Sequence, residues 1–149
     1  MGTKYQGTKE EIRALNAFIK LVRAADSVSS RVEAHLDSLH LTVSQFGVME
    51  SLLHLGPMHQ KDLGRKILKS SGNITMVVDN LEKRGLVERV KDEQDRRHYF
   101  VRLTAKGKNL IKPFFSRHVA RIVSEMSALT RAEQEELGRL CKKVGLKTD

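Results

Sequence analysis

At 149 residues with a formal charge of +9, the chain is long enough to bury one hydrophobic core and basic enough to favour polyanions, nucleic acid first and an anionic membrane surface second. Its single cysteine, Cys141, excludes an intramolecular disulfide, and no apolar run approaches the roughly 20 residues of a membrane-spanning helix. The opening MGTKYQGTKEE lacks the apolar centre of a secretory signal, so a cytoplasmic protein without a membrane partner is expected.

From Glu10 to Leu39, apolar residues recur at Ile12, Leu15, Phe18, Ile19, Val22, Ala25, Val28, Val32, Leu36 and Leu39. Steps of three and four predict one long amphipathic helix. It is longer than its own small domain can cover, and so is expected to pack partly against another subunit. Thr42-Val-Ser-Gln45 is a capping box that opens a second helix, whose buried stripe is Phe46, Met49, Leu52 and Leu53, and Gly56-Pro57 ends it. A short helix over about 60–67 follows, carrying Leu63 and Ile67. Then Ser70 or Ser71 can N-cap a helix that Gly85 closes, with Ile74, Val77, Val78 and Leu81 on its buried face. The opposite face shows Ser71, Asn73, Thr75, Met76 and Asp79.

Two strand-like runs come next, Leu86–Lys91 and a period-two alternation over 98–103, joined by the polar tip DEQDRR. Thr104 caps a long helix that Pro113 should kink, with Ile111, Phe114, Phe115, His118, Ile122, Met126 and Leu129 along its stripe. A further capping box, Thr130 to Glu133, opens a last helix bearing Leu137, Leu140, Cys141 and Val144. The domain reading is a first helical segment at 1–40, a central region at 41–103 and C-terminal helices at 104–149, together one compact domain.

Helix, short helix, turn, helix and then a hairpin is the order of a winged helix-turn-helix. The fold class expected is therefore mainly α with a small two-stranded wing and long terminal helices. The second helix of such a motif enters the DNA major groove by its N-terminal end, where bulky or acidic residues would be excluded. Ser70, Ser71, Gly72, Asn73 and Thr75 meet that demand. Asn73 can pair bidentately with adenine, and Met76 either meets a thymine methyl or turns away. At the wing tip, Arg96 and Arg97 are placed to enter the narrow, negative minor groove, and Asp95 to orient Arg97 through a charge-assisted hydrogen bond. The charge pattern agrees: 13 Lys/Arg against 7 Asp/Glu lie between Lys61 and Lys108, which is +6 of the +9 in about a third of the chain.

Other chemistries are poorly served. The histidine pairs His35/His40 and His54/His59 are five apart, not the i, i+4 of ligands on one helix face, and His118 stands singly in an apolar stripe, so no metal is expected. Cys141 reads as a small buried hydrophobe. There is no phosphate-cradling Gly-rich loop, nucleophile elbow or convincing carboxylate pair, so neither an enzyme nor a cofactor is expected.

LTVSQFGVMESLLHLGPMHQKDLGRKI, then SSGNITMVVDNLEKRGLVERVKDEQDRRHYFVRLTAKG, then LTRAEQEEL together resemble the MarR family of bacterial transcriptional regulators, over about residues 10–144. The Asp95-Arg96-Arg97 wing is among the more specific marks. The resemblance implies a homodimer formed by the first and last two helices, reading a pseudo-palindromic double-stranded operator, most often as a repressor. It also implies a small, often aromatic or phenolic, effector. Phe46, Met49 and Leu53 are candidates to line its pocket. The alternative is a constitutive or architectural DNA binder without an effector. His59 departs from the family's usual Thr or Ser helix cap, and the first helix lacks the cysteine of the peroxide-sensing branch.

Overall fold

The computed structural model describes residues 2–67 and 71–147, and of Ser71 and Gly72 only the helical backbone. The chain divides into two compact units, one made of its two ends, up to Ala34 and from Arg121 onward, the other of His35–Ala120.

The terminal unit holds α1 (Lys9–Glu33), the last turns of α5 (Ala105–Met126) and α6 (Arg131–Leu146). Both α1 and α6 begin with capping boxes. Thr8 Oγ1 accepts from Glu11 N–H while Glu11 takes the Thr8 N–H, and Thr130 and Glu133 do the same. The Thr8 box was not anticipated. Between α1 and α5, the Arg31 guanidinium meets Glu125 at 2.8 Å. Phe18 on α1 is 62% exposed, and Leu21, Val22, Ile122, Val123, Leu137, Leu140 and Val144 are also left uncovered. Cys141, read as buried, is exposed, because the α6 stripe it belongs to is not covered within this chain.

The long first helix stops at Glu33 rather than Leu39, and Ala34–Leu39 forms a 3₁₀ segment. The step of three from Leu36 to Leu39 fits a threefold turn as well as an α-helix, so spacing could not separate them. His40 then takes a left-handed φ of 53°. Arg84 donates from Nη1 to the His40 carbonyl at 2.7 Å and from Nη2 to the Leu39 carbonyl at 3.0 Å, satisfying the acceptors that the segment's end exposes.

The central unit carries α2 (Val43–Leu55), β1 (Met58–His59), α3 (Gln60–Lys66), α4 (Ser71–Lys83), β2 (Val87–Lys91), β3 (Tyr99–Leu103) and the start of α5. The Thr42–Gln45 capping box forms as expected. At the end of α4, Gly85 at φ 69° closes a Schellman motif, with Leu86 N–H on the Leu81 carbonyl and Gly85 N–H on that of Glu82. The hairpin runs in antiparallel register from Val87 opposite Leu103 to Lys91 opposite Tyr99. A third strand joins it: β1 pairs with β3, Met58 opposite Val101 and His59 opposite Phe100, giving the order β1-β3-β2. Two residues are too few to show an alternation, which is why the sequence gives no sign of β1.

Val48, Met49, Leu63, Ile74, Val78, Leu81, Leu86, Val101 and Ile111 form the core of this unit. Helix α5 runs unbroken through Pro113. His118, which stands singly in the sequence, meets His35 at 3.3 Å between Nδ1 and Nε2, and both rings lie against Phe46 or Phe114. Burial pushes the His118 imidazolium below the ordinary histidine range, so the neutral ring belongs to the folded unit.

Two glycines test this packing in opposite directions. A Cβ on Gly107 would collide with the Leu86 carbonyl oxygen, whereas one on Gly138 in α6 meets nothing within 4 Å. Gly107→Ala should lower stability by about 3 kcal/mol or more, and Gly138→Ala should raise it by about 0.5–1 kcal/mol, both read from urea denaturation.

Candidate nucleic-acid interface

Helix α4 turns Ile74, Val78 and Leu81 inward and leaves Asn73, Thr75 and Met76 on the outer face. Met76 is 58% exposed, so its side chain is turned outward with the polar residues rather than into the core. The Thr75 hydroxyl accepts from Gln60 Nε2 at 2.9 Å, which ties it to the start of α3. Of the expected reading residues, Ser70 lies outside the described residues, and Ser71 and Gly72 open α4.

What orients α4 is a residue the sequence reading passed over. Arg89, in the middle of β2, is only 17% exposed and spreads its guanidinium over three elements. Nη2 meets Asp79 at 2.7 Å, Nη1 meets Glu82 at 3.0 Å, and Nε donates to Gln60 Oε1 at 3.0 Å. Its backbone N–H also donates to Glu82 Oε2 at 3.0 Å. One planar group therefore joins α4, β2 and the N-terminus of α3. The signal available in sequence was Asp79 and Glu82 at i, i+3 near the end of α4, but their partner lies across a turn whose path only the fold supplies.

The wing tip is built on two aspartates. Asp92 Oδ1 accepts from Gln94 N–H at 2.9 Å, and its Oδ2 faces His59 Nε2 at 3.0 Å. These hydrogen bonds, that from Gln94 first, hold the Asp92 carboxyl below its usual range. Asp95 accepts from the Arg97 backbone at 3.2 Å, and then from its side chain twice, Nε on Oδ1 at 3.0 Å and Nη2 on Oδ2 at 3.1 Å. The Arg97 side chain is the first cause of the lowered Asp95 pKa. The expected pairing of Asp95 with Arg97 is thus present as a two-point clamp, while the Arg97 side chain stays 86% exposed. Arg96, beside it, is exposed as well. Farther down the hairpin, Glu88 and Arg102 sit opposite each other in register and pair at 2.6 Å.

His59 gives α3 no side-chain cap, as its departure from Thr or Ser foretold. Its ring instead bridges to Asp92 and lies against Phe100 at 4.2 Å. Of the three residues expected to line an effector pocket, Phe46 and Met49 are closed into the core and Leu53 is packed against it. Among the described residues, no group of three His, Cys, Asp or Glu is placed to hold a metal, and no helix is long and apolar enough to cross a membrane.

A helix presented by a helix-turn-helix beside a wing with an aspartate-clamped arginine matches the MarR family model over residues 41–99. Along 134 residues, covering 90% of this chain and 92% of the relative, the sequence is 37% identical to the HTH-type transcriptional regulator MhqR of Bacillus subtilis (strain 168). The chain belongs to the MarR family. Its fold is shared with Sco3205, a MarR family regulator of Streptomyces coelicolor solved in complex with DNA (TM-score 0.83, 19% identity, 95% of this chain and 90% of that one). It is shared too with Bordetella bronchiseptica BpsR, whose DNA binding is regulated by 6-hydroxynicotinic acid (TM-score 0.77, 23% identity, 87% and 98%).

If Arg89 orients the reading helix, Arg89→Ala should cost about 1–3 kcal/mol in urea denaturation, since Asp79 and Glu82 are left facing each other without a cation. Arg89→Lys should recover only part of it, because one ammonium cannot reach Asp79, Glu82 and Gln60 together.

Proposed function

We propose that this MarR-family regulator binds duplex DNA as a homodimer and represses transcription from a pseudo-palindromic operator. The observation that supports the reading is the wing, where both oxygens of Asp95 hold one edge of a guanidinium that is otherwise open to solvent. An arginine prepared in this way enters a narrow minor groove with little further loss of side-chain entropy. In this reading the N-terminal part of α4 lies in the adjoining major groove, with Ser70, Ser71, Gly72, Asn73, Thr75 and Met76 toward the bases or phosphates and Arg96 on the backbone.

A second copy of the chain is the natural cover for the apolar faces of α1, α5 and α6, among them Phe18, Val123 and Val144. Release by a small aromatic acid is supported by the regulation of BpsR by 6-hydroxynicotinic acid. An effector of this kind would have to open the packing around Phe46, Met49 and Leu53, so binding it would compete with the closed core.

Sequencing the duplexes retained by the purified protein from sheared genomic DNA tests the reading. An enriched pseudo-palindrome with half-sites about one helical turn apart is expected, and retention without a shared motif would indicate an architectural binder instead. On the enriched site, Arg97→Ala should weaken binding by about 1–3 kcal/mol in fluorescence anisotropy, with an unchanged circular dichroism spectrum. Affinity equal to wild type would remove the wing from the interface.

A further inference from the structure

Between the start of α3 and the wing tip lies a depression lined by His59, Gln60, Lys61, Arg97, His98 and Tyr99. The two histidine rings are tilted by 37° to each other, with centroids 5.8 Å apart. Each has a carboxylate behind it: His59 Nε2 is 3.0 Å from Asp92, and His98 Nε2 is 3.5 Å from Asp95, the same aspartate that clamps Arg97. Asp62, one turn into α3, is 4.0 Å from His59 Nδ1 and is shared with Arg65 at 3.8 Å. From β2, Lys91 stands over the Tyr99 ring at 5.9 Å. Glu93 and Arg96, of opposite sign, complete the turn.

The charges of this cluster nearly cancel. Lys61, Lys91 and Arg97 stand against Asp62, Asp92 and Asp95, so with neutral imidazoles the depression offers an anion little net attraction. Hydrogen bonds hold the Asp92 and Asp95 carboxyls below the usual carboxylate range. Histidine, in contrast, is the side-chain type that ordinarily changes charge between about pH 5 and 8. Protonation of His59 and His98 would add two positive charges to a concave site that already holds the groove-directed arginine.

We propose that this depression receives a backbone phosphate of the bound duplex, and that His59 and His98 make DNA binding proton-coupled. The inference rests on the DNA-binding reading given above. A phosphodiester seated at the mouth of the depression, beside both rings, favours their protonated forms. By linkage, binding then takes up protons, and affinity rises as the pH falls through the histidine range.

The test is anisotropy at fixed ionic strength, with a labelled duplex carrying the sequence retained in the selection, for wild type and for the His59→Gln/His98→Gln double variant. Wild-type affinity should rise about three- to tenfold per pH unit on going from about pH 8 to about pH 6, and the double variant should vary less than about twofold per unit over the same range. A wild-type profile as flat as that, or a double variant that keeps the wild-type slope, overturns the proposal. Should the double variant fold poorly, the histidine Cε1–Hε1 NMR signals of the wild type give the same answer. The His59 and His98 titration midpoints should move upward when the duplex is added, and midpoints that stay in place overturn the proposal equally. Tight duplex binding that ignores pH removes only the phosphate site, whereas no duplex binding at any pH removes the DNA-binding reading as well.

Discussion

The arrangement of α3, α4 and the β2–β3 hairpin depends on how a single guanidinium is satisfied. Arg89 sits in the centre of β2 with most of its surface withdrawn from water, and a cation there is tolerated only if its donors are used. Asp79 and Glu82 on α4 and Gln60 at the start of α3 use them. Because guanidinium is planar and its donors point in fixed directions, satisfying it also sets the angles between the three elements. Gln60 extends the same network to the Thr75 hydroxyl, on the outer face of α4. A residue expected to face DNA is therefore positioned from behind through two hydrogen bonds and a strand.

The wing uses the same device nearer the solvent. Asp92 and Asp95 each accept a backbone N–H within the turn, which shapes it, and then hold a cationic or imidazole side chain, which aims it. Arg97 is exposed, so the stability gained from its pair with Asp95 is small in water. The consequence is conformational instead: a side chain with several rotatable bonds is kept near one arrangement before any partner arrives. His59 joins this turn to the N-terminus of α3, having given up the usual capping role to do so.

The two ends of the chain follow a different logic. Their helices are well capped and paired, through Thr8, Thr130 and the Arg31–Glu125 bridge, yet they leave a wide apolar surface facing water. The proposed second copy of the chain would bury this face. The exposure of Cys141 belongs to the same surface, and its apolar neighbours Leu137, Leu140 and Val144 share it.

Much of the local chemistry was legible in the sequence where a signal lies within a few residues, although the Thr8–Glu11 box was not read. The Thr42–Gln45 and Thr130–Glu133 boxes, the Gly85 terminator, the inward face of α4, the β2–β3 hairpin and the Asp95–Arg97 pair all depend on separations of seven or fewer, or on a strict alternation, and all are present. Tertiary structure decided what depends on distant partners. The Leu39–His40 turn is held by Arg84 from far along the chain, and β1 exists only because β3 offers its edge. His118 found His35 across 83 positions, and Arg89 found Asp79, Glu82 and Gln60 across a turn and a strand. Periodicity and capping are properties of a segment and its own backbone, whereas the pairing of a buried polar group is a property of the surface that folding brings against it.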